Sequence, residues 1–169
     1  AKSRKLLDAA EVHLMLAEAN LRGWSTPLTA QAHYEEGVKQ SFAFWGAGGV
    51  DAYLANNSGT PFDYDDIVET GAVNDFTSRI TATVAWNEAG TNEEKLEKII
   101  TQKWIAGFTN SVEPWADHRR TGYPKLPYNY KNDSNATFGI IAADDFMKRL
   151  PFPSKEQTNN ASGYASGVS

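Results

Sequence analysis

Apolar residues recur at three- and four-residue steps in three stretches of this chain, and each stretch predicts a helix. Over residues 4–22, Leu6, Ala10, Leu14, Ala17 and Leu21 form one stripe. Val12, Met15, Leu16 and Ala19 make the same element apolar on a second side, so it is expected between other helices. Gly23 supplies its stop. A second helix begins near Thr26-Pro27 or at Thr29 and runs to Trp45, with Tyr34, Val38, Phe42 and Trp45 as its stripe and Gly46 at its end. The third opens on a capping box, Thr91 with Glu94, and runs to about Phe108. Leu96, Ile99, Ile100, Trp104, Ile105 and Phe108 give it a broad face to bury. Pro114 then suits the first turn of a short helix carrying Trp115 and His118.

Between and after these elements the pattern weakens. Residues 50–56 read as a short helix, and the acidic stretch with Asp63, Asp65 and Asp66 reads as a loop. Residues 80–86 (ITATVAW) fit a strand and a helix equally well. Prolines make 148–153 extended, because each biases its predecessor away from helix. Ser154 with Gln157 can cap one last turn, and the Ser/Gly/Asn-rich tail from Asn159 is expected to fray unless Tyr164 docks. The expected fold is mainly α, a tetratricopeptide-like helical hairpin plus irregular loop-rich segments. Its parts are the hairpin over 1–46, an irregular insert over 47–90, and a helix, arginine-rich turn and extended segment over 91–169.

Composition narrows the function. The 169 residues carry 16 Lys plus Arg against 21 Asp plus Glu, a net charge of −5, with no basic stripe to neutralise a phosphate backbone. Nucleic acid is therefore excluded as a partner. The absence of cysteine rules out disulfides, thiolate metal sites and cysteine nucleophiles. No apolar run approaches the ~20 residues a membrane span needs. The chain starts almost at once inside a helix, without an initiator Met, and reads as the later portion of a longer protein.

The densest chemistry lies in residues 113–127, EPWADHRRTGYPKLP. Three prolines fix its backbone, and Trp115 and Tyr123 carry enough apolar area to need burial. Arg119 and Arg120 sit beside both rings, so one guanidinium is expected on a buried carboxylate such as Glu113 or Asp117, locking the turn. Trp115, Arg119, Arg120 and Tyr123 are thus structural candidates, and Trp45 and Trp104 are core candidates from their stripes. Sugar binding needs flat rings beside amides and carboxylates, and Tyr128, Tyr130, Asn132 and Asp133 offer that set in one polar loop. The acidic loop residues supply oxygen of the kind Ca²⁺ takes but follow no EF-hand spacing, and His13, His33 and His118 form no ligand pair, so no metal and no cofactor is expected. Glu113 and Asp117 could face one side as a glycosidase pair, yet adjacent arginines would keep both ionised, which is wrong for a general acid. The chain is read as no enzyme.

Five segments in order resemble the C-terminal portion of the SusD/RagB family. They are AEVHLMLAEANLRG at 10–23, YEEGV at 34–38 with 42–46, ITQKWIA at 100–106, WADHRRTGYP at 115–124, and RLPFP at 149–153 with Glu156 and Asn159/Asn160. The resemblance implies a piece of a larger SusD-like α fold and non-catalytic capture of oligosaccharides. It also implies placement on the extracellular side of an outer membrane through a lipidated N-terminal cysteine absent from this chain, and delivery to a TonB-dependent, SusC-like transporter. Two rival readings remain: a tetratricopeptide-type scaffold that binds only protein, and a glycoside hydrolase.

Overall fold

The computed structural model describes residues 7–68, 75–110, 112–128, 141–142, 145–147, 150 and 152–168. Their regular structure is helical: α1 (Ala9–Leu21), α2 (Ala30–Trp45), α3 (Val50–Leu54), α4 (Asn92–Ala106), α5 (Val112–Thr121), α6 (Ser154–Asn159) and α7 (Ala161–Val168). The chain divides into two compact units, one formed by Ala1–Tyr64 with Phe76–Pro127 and the other by Asp65–Asp75 with Tyr128–Ser169.

In the first unit α1 and α2 pack antiparallel. Asp8 caps α1, accepting from the Glu11 amide at 2.7 Å, so this helix starts later than the stripe from Leu6 suggested. Asn20 closes the hairpin turn: its side chain donates to the Thr26 hydroxyl at 2.9 Å and accepts from the Ala30 amide at 3.0 Å. Thr29 caps α2, and Gly46 ends it in the left-handed region at φ 66°. The helices approach closely at Gly37, where an added Cβ would sit 2.7 Å from Leu14 Cγ. That residue is fully buried and has nowhere to move.

Ala10, Leu14 and Ala17 of α1, Tyr34 and Val38 of α2, and Ile99, Ile100 and Ala106 of α4 form one core. Burial of their apolar area is the main force holding the three helices together. Thr91 and Glu94 complete the capping box that starts α4. Residues 80–86 are neither strand nor helix. Contacts to the helices and to Asn56 hold this segment: Tyr34 donates its hydroxyl proton to the Val84 carbonyl at 2.7 Å, the Tyr34 and Trp86 rings lie 5.2 Å apart, the Ala85 amide donates to Asn56 O at 2.8 Å, and Lys98 donates to the Thr83 carbonyl and hydroxyl. The alternation of β-branched residues there has no neighbouring strand to pair with among the described residues.

Three stripe residues expected inside are not. Trp45 is 44% exposed, Ile105 48% and Phe108 68%. The antiparallel register explains Trp45: Gly37 meets Ala10 and Leu14, so the last two turns of α2 pass beyond Ala9, where α1 begins. Trp45 instead meets Phe108 and Phe44 edge-on, at 5.8 and 5.0 Å between ring centres. Ile105 lies in the last turn of α4 on the face away from the core residue Ala106, and Phe108 lies just past the helix end.

The second unit holds α6 and α7. Pro153, and not Ser154, occupies the cap position of α6, and no side-chain cap bond forms there. A proline at that point pre-sets the backbone, which makes the serine cap unnecessary. The tail expected to fray is helical in α7. Tyr164 fastens it, with its ring 5.9 Å from Phe152 and its hydroxyl accepting from Gln157 at 2.9 Å.

Candidate functional site

The arginine-bearing segment is largely helix α5, whose first turn holds Pro114. Arg120 leaves the end of this helix and reaches back to α1, 102 positions earlier in sequence. Its two terminal nitrogens donate to the two carboxylate oxygens of Glu18 at 2.5 and 2.9 Å, and one also donates to Asp117 at 2.9 Å. Arg22 adds two more guanidinium bonds to Glu18, from Nε at 2.9 Å and Nη2 at 2.7 Å, and Lys103 of α4 closes on the other oxygen of Asp117 at 2.8 Å. Glu18 and Asp117 are both 8% exposed, so this network is mostly withdrawn from water. Burial alone would push the Glu18 carboxyl up, but the hydrogen bonds from Arg120 and Arg22 outweigh it and hold it below the ordinary carboxylate range. Arg120 is shifted upward, chiefly by its bonds to Glu18.

Arg119 behaves differently. It is exposed and lies over the Trp115 ring, 4.7 Å from its centre. Trp115 is only half-buried, so it is not the buried anchor of the turn. That place belongs to His118 and Pro124: the imidazole Nδ1 donates to the Pro124 carbonyl at 3.1 Å. Gly122 turns the chain at φ 76°, and the Tyr123–Pro124 bond is cis. Tyr123 donates to Glu93 on α4 at 3.2 Å, and its pKa is raised by burial and by that carboxylate. With every charge opposed at close range, this cluster has the chemistry of a fastening rather than of a reaction centre. Glu113 lies beside it, exposed.

Of the proposed sugar-binding loop, Tyr128 is described; it belongs to the second unit and its ring lies 5.2 Å from that of Phe146. Tyr130, Asn132 and Asp133 fall outside the described residues, as does part of 148–153. Asp66 serves a local turn, accepting from the Val68 amide at 2.9 Å, and Asp63 accepts from the Ser78 amide, 15 residues on, at 2.8 Å. Among the described residues no group of three or more acidic or histidine side chains is placed to hold a metal, and no helix is long and apolar enough to cross a membrane.

Two features of the first unit escaped the sequence reading. Trp104, Ile105, Phe108 and Pro114 line an open depression of about 530 Å³ beside Thr109, whose φ of 76° is unusual for a branched residue. A smaller polar cleft of about 210 Å³ lies between residues 81–90 and the first turns of α4. The density of charge on α4 (Lys95, Glu97 and Lys98, all buried) was the available signal for it.

The whole chain, residues 1–169, matches the SusD-like family model described as SusD and RagB outer membrane lipoprotein. Among solved structures, it is similar to a chitin-binding SusD homologue from Flavobacterium johnsoniae, with 44% identity and a TM-score of 0.83. That match covers 96% of this chain and 33% of the relative. A SusD homologue from Bacteroides vulgatus gives 42% identity and 0.81 over 95% of this chain and 32% of its own. A SusD-like protein from Bacteroides thetaiotaomicron gives 34% and 0.80 over 94% and 32%. No protein with a curated description matches. The chain thus spans about a third of the length of these relatives. With the family model matched from end to end and the helical fold superposing, the chain belongs to the SusD-like family of outer membrane lipoproteins.

Proposed function

We propose that this chain is part of a non-catalytic glycan-capture protein on the extracellular face of an outer membrane, passing oligosaccharides to a TonB-dependent transporter. One observation carries the reading: 44% identity across nearly the entire chain to a homologue that binds chitin. The interlocked charges around Arg120 agree with it, since a glycosidase needs one carboxyl held protonated and the Glu18 carboxyl is held ionised by Arg120 and Arg22. Within this chain Tyr128, Tyr130, Asn132 and Asp133 remain the proposed ligand contacts, two rings to stack on sugar faces and two polar groups for hydroxyls.

Calorimetry of the full chain against chito-oligosaccharides and a panel of other neutral glycans tests the proposal. Binding without release of reducing sugar supports it. No binding to any glycan, with retention of a protein partner, would favour the scaffold reading instead. Tyr130→Ala should weaken oligosaccharide affinity, and an unchanged value removes that loop from the site.

A further inference from the structure

Helix register brings large apolar side chains of the first unit to one end of its bundle. Gly37 meets Ala10 and Leu14, so the last two turns of α2 carry Phe44 and Trp45 past the start of α1. Glu11 lines a small cleft with Ala106, Gly107 and Pro114, which sets the end of α4 and the start of α5 beside the first turn of α1. Four large side chains stand in water at this end: Phe108 is 68% exposed, Phe44 53%, Ile105 48% and Trp45 44%. Ring contacts join Phe44 to Trp45 and Trp45 to Phe108, so the surface is continuous. Taking ~200 Å² per side chain, it leaves roughly 400 Å² of apolar area in water, a size at which patches on folded proteins are often functional. The open depression of about 530 Å³ adjoins it. No charged side chain lines that depression, and its polar side chains are Thr109 and Asn110.

We propose that this end of the bundle is the docking surface for the polypeptide that leads into α1 in the longer protein, which seats large apolar side chains in the depression beside Phe108. Length supplies the occupant: the match takes up 33% of the chitin-binding relative, so two thirds of such a polypeptide lies elsewhere. Direction places it. Leu7 and Asp8 open α1 at this same end, and Leu7 is 60% exposed, so the chain enters beside the patch and not at the hairpin turn. Tethering then favours it over a second copy, because a segment already held nearby docks without the loss of translational freedom that association of two molecules has to offset. A glycan is the poorer fit, since its hydroxyls would meet rings and aliphatic groups with two polar side chains among them.

The test uses the longer polypeptide that contains this chain. In hydroxyl-radical footprinting, Phe108 should be oxidised about tenfold more slowly than free phenylalanine, the change expected when a ring 68% exposed becomes as covered as a core side chain. That protection should persist when the protein is diluted. Oxidation near the rate of the free amino acid, or slowed only in proportion to the exposure seen here, overturns the inference. Protection that fades on dilution overturns it too, because a second copy then covers the patch. Phe108→Ser gives an independent reading, since a covered ring contributes to stability and one left in water contributes little. The melting temperature of the longer polypeptide should fall by several degrees at every protein concentration, and a value unchanged or raised overturns the inference. Should that variant fail to fold, the footprint of the parent protein decides. Neither measurement involves a glycan, so the glycan-capture reading is judged separately by calorimetry.

Discussion

Helix α4 takes part in two charged clusters that use the same residue types to opposite ends. Near its C-terminus Lys103 joins Asp117, Arg120, Glu18 and Arg22, and oxygens on both carboxylates are occupied by guanidinium or ammonium groups. Near its N-terminus Lys95, Glu97 and Lys98 border a cleft, and one carboxylate oxygen is left over. Burial is similar, with Glu18 at 8% and Glu97 at 6% exposed. What differs is saturation. A closed network spends its hydrogen-bonding capacity on the fold, so removing a member exposes uncompensated charge. An open one contributes less to the fold, so removing a member strands less.

The largest expected effect tests the closed side. Arg120→Ala strands Glu18 and Asp117 in a desolvated site and should cost about 2–3 kcal/mol, the lower part of the range for a broken buried pair, because the guanidinium itself is 45% exposed. Arg119→Ala removes an exposed contact over Trp115 and should cost no more than about 1 kcal/mol. Urea unfolding of both variants checks the asymmetry. Equal losses would mean that Glu18 does not discriminate between the neighbouring arginines, and the closed network would not be the fastening described.

That asymmetry marks the limit of what could be read from the chain. The capping box at Thr91, the stripe through Ala10, Leu14 and Ala17, and the partners Tyr34 and Val38 follow from local chemistry and helical period, and all appear in the fold. The arginine segment was recognisable as rigid, and Asp117 is a near neighbour in sequence. Glu18 is 102 residues away, and only the packing of α4 against both α1 and α5 brings it to Arg120. The exposure of Trp45 had the same origin, since a stripe shows which face of a helix is apolar but not how far its partner extends. The cleft left only the charge density of α4 as a signal, because residues 80–86 have no regular structure and a pocket between such a segment and a helix has no sequence period.

A third buried polar group lies between the two extremes. His33 is 2% exposed, and its Nδ1 shares a hydrogen bond with His13 Nδ1 at 3.1 Å, so one ring donates and the other accepts. Its Nε2 is buried without a partner among the described residues. Burial, then the His13 charge, lowers the His33 pKa. A folded-state value below the unfolded ~6.5 means that the unfolded chain binds the proton first, so this stability is present above pH ~6.5 and is lost as pH falls below it. The slope for one proton is at most about 1.4 kcal/mol per pH unit. Urea unfolding between pH 7 and 5.5 should show it in the parent and a flatter line in His33→Gln; parallel lines would place the acid sensitivity elsewhere.

The smallest expected effect is the most discriminating. Glu97→Gln keeps the shape of the side chain, removes a buried charge, and releases Lys125, whose side chain is 38% exposed and regains water. Its stability should therefore stay within about 0.5 kcal/mol of the parent, because the lost ion pair is weak and the unpartnered oxygen contributed nothing favourable to folding. A loss of about 2 kcal/mol or more, comparable to Arg120→Ala, would show that Glu97 is held as tightly as Glu18 and that both ends of α4 are structural. Near-neutral stability has the opposite meaning: the fold does not require a charge at this position, and the two ends of α4 differ in what their buried acids contribute to folding.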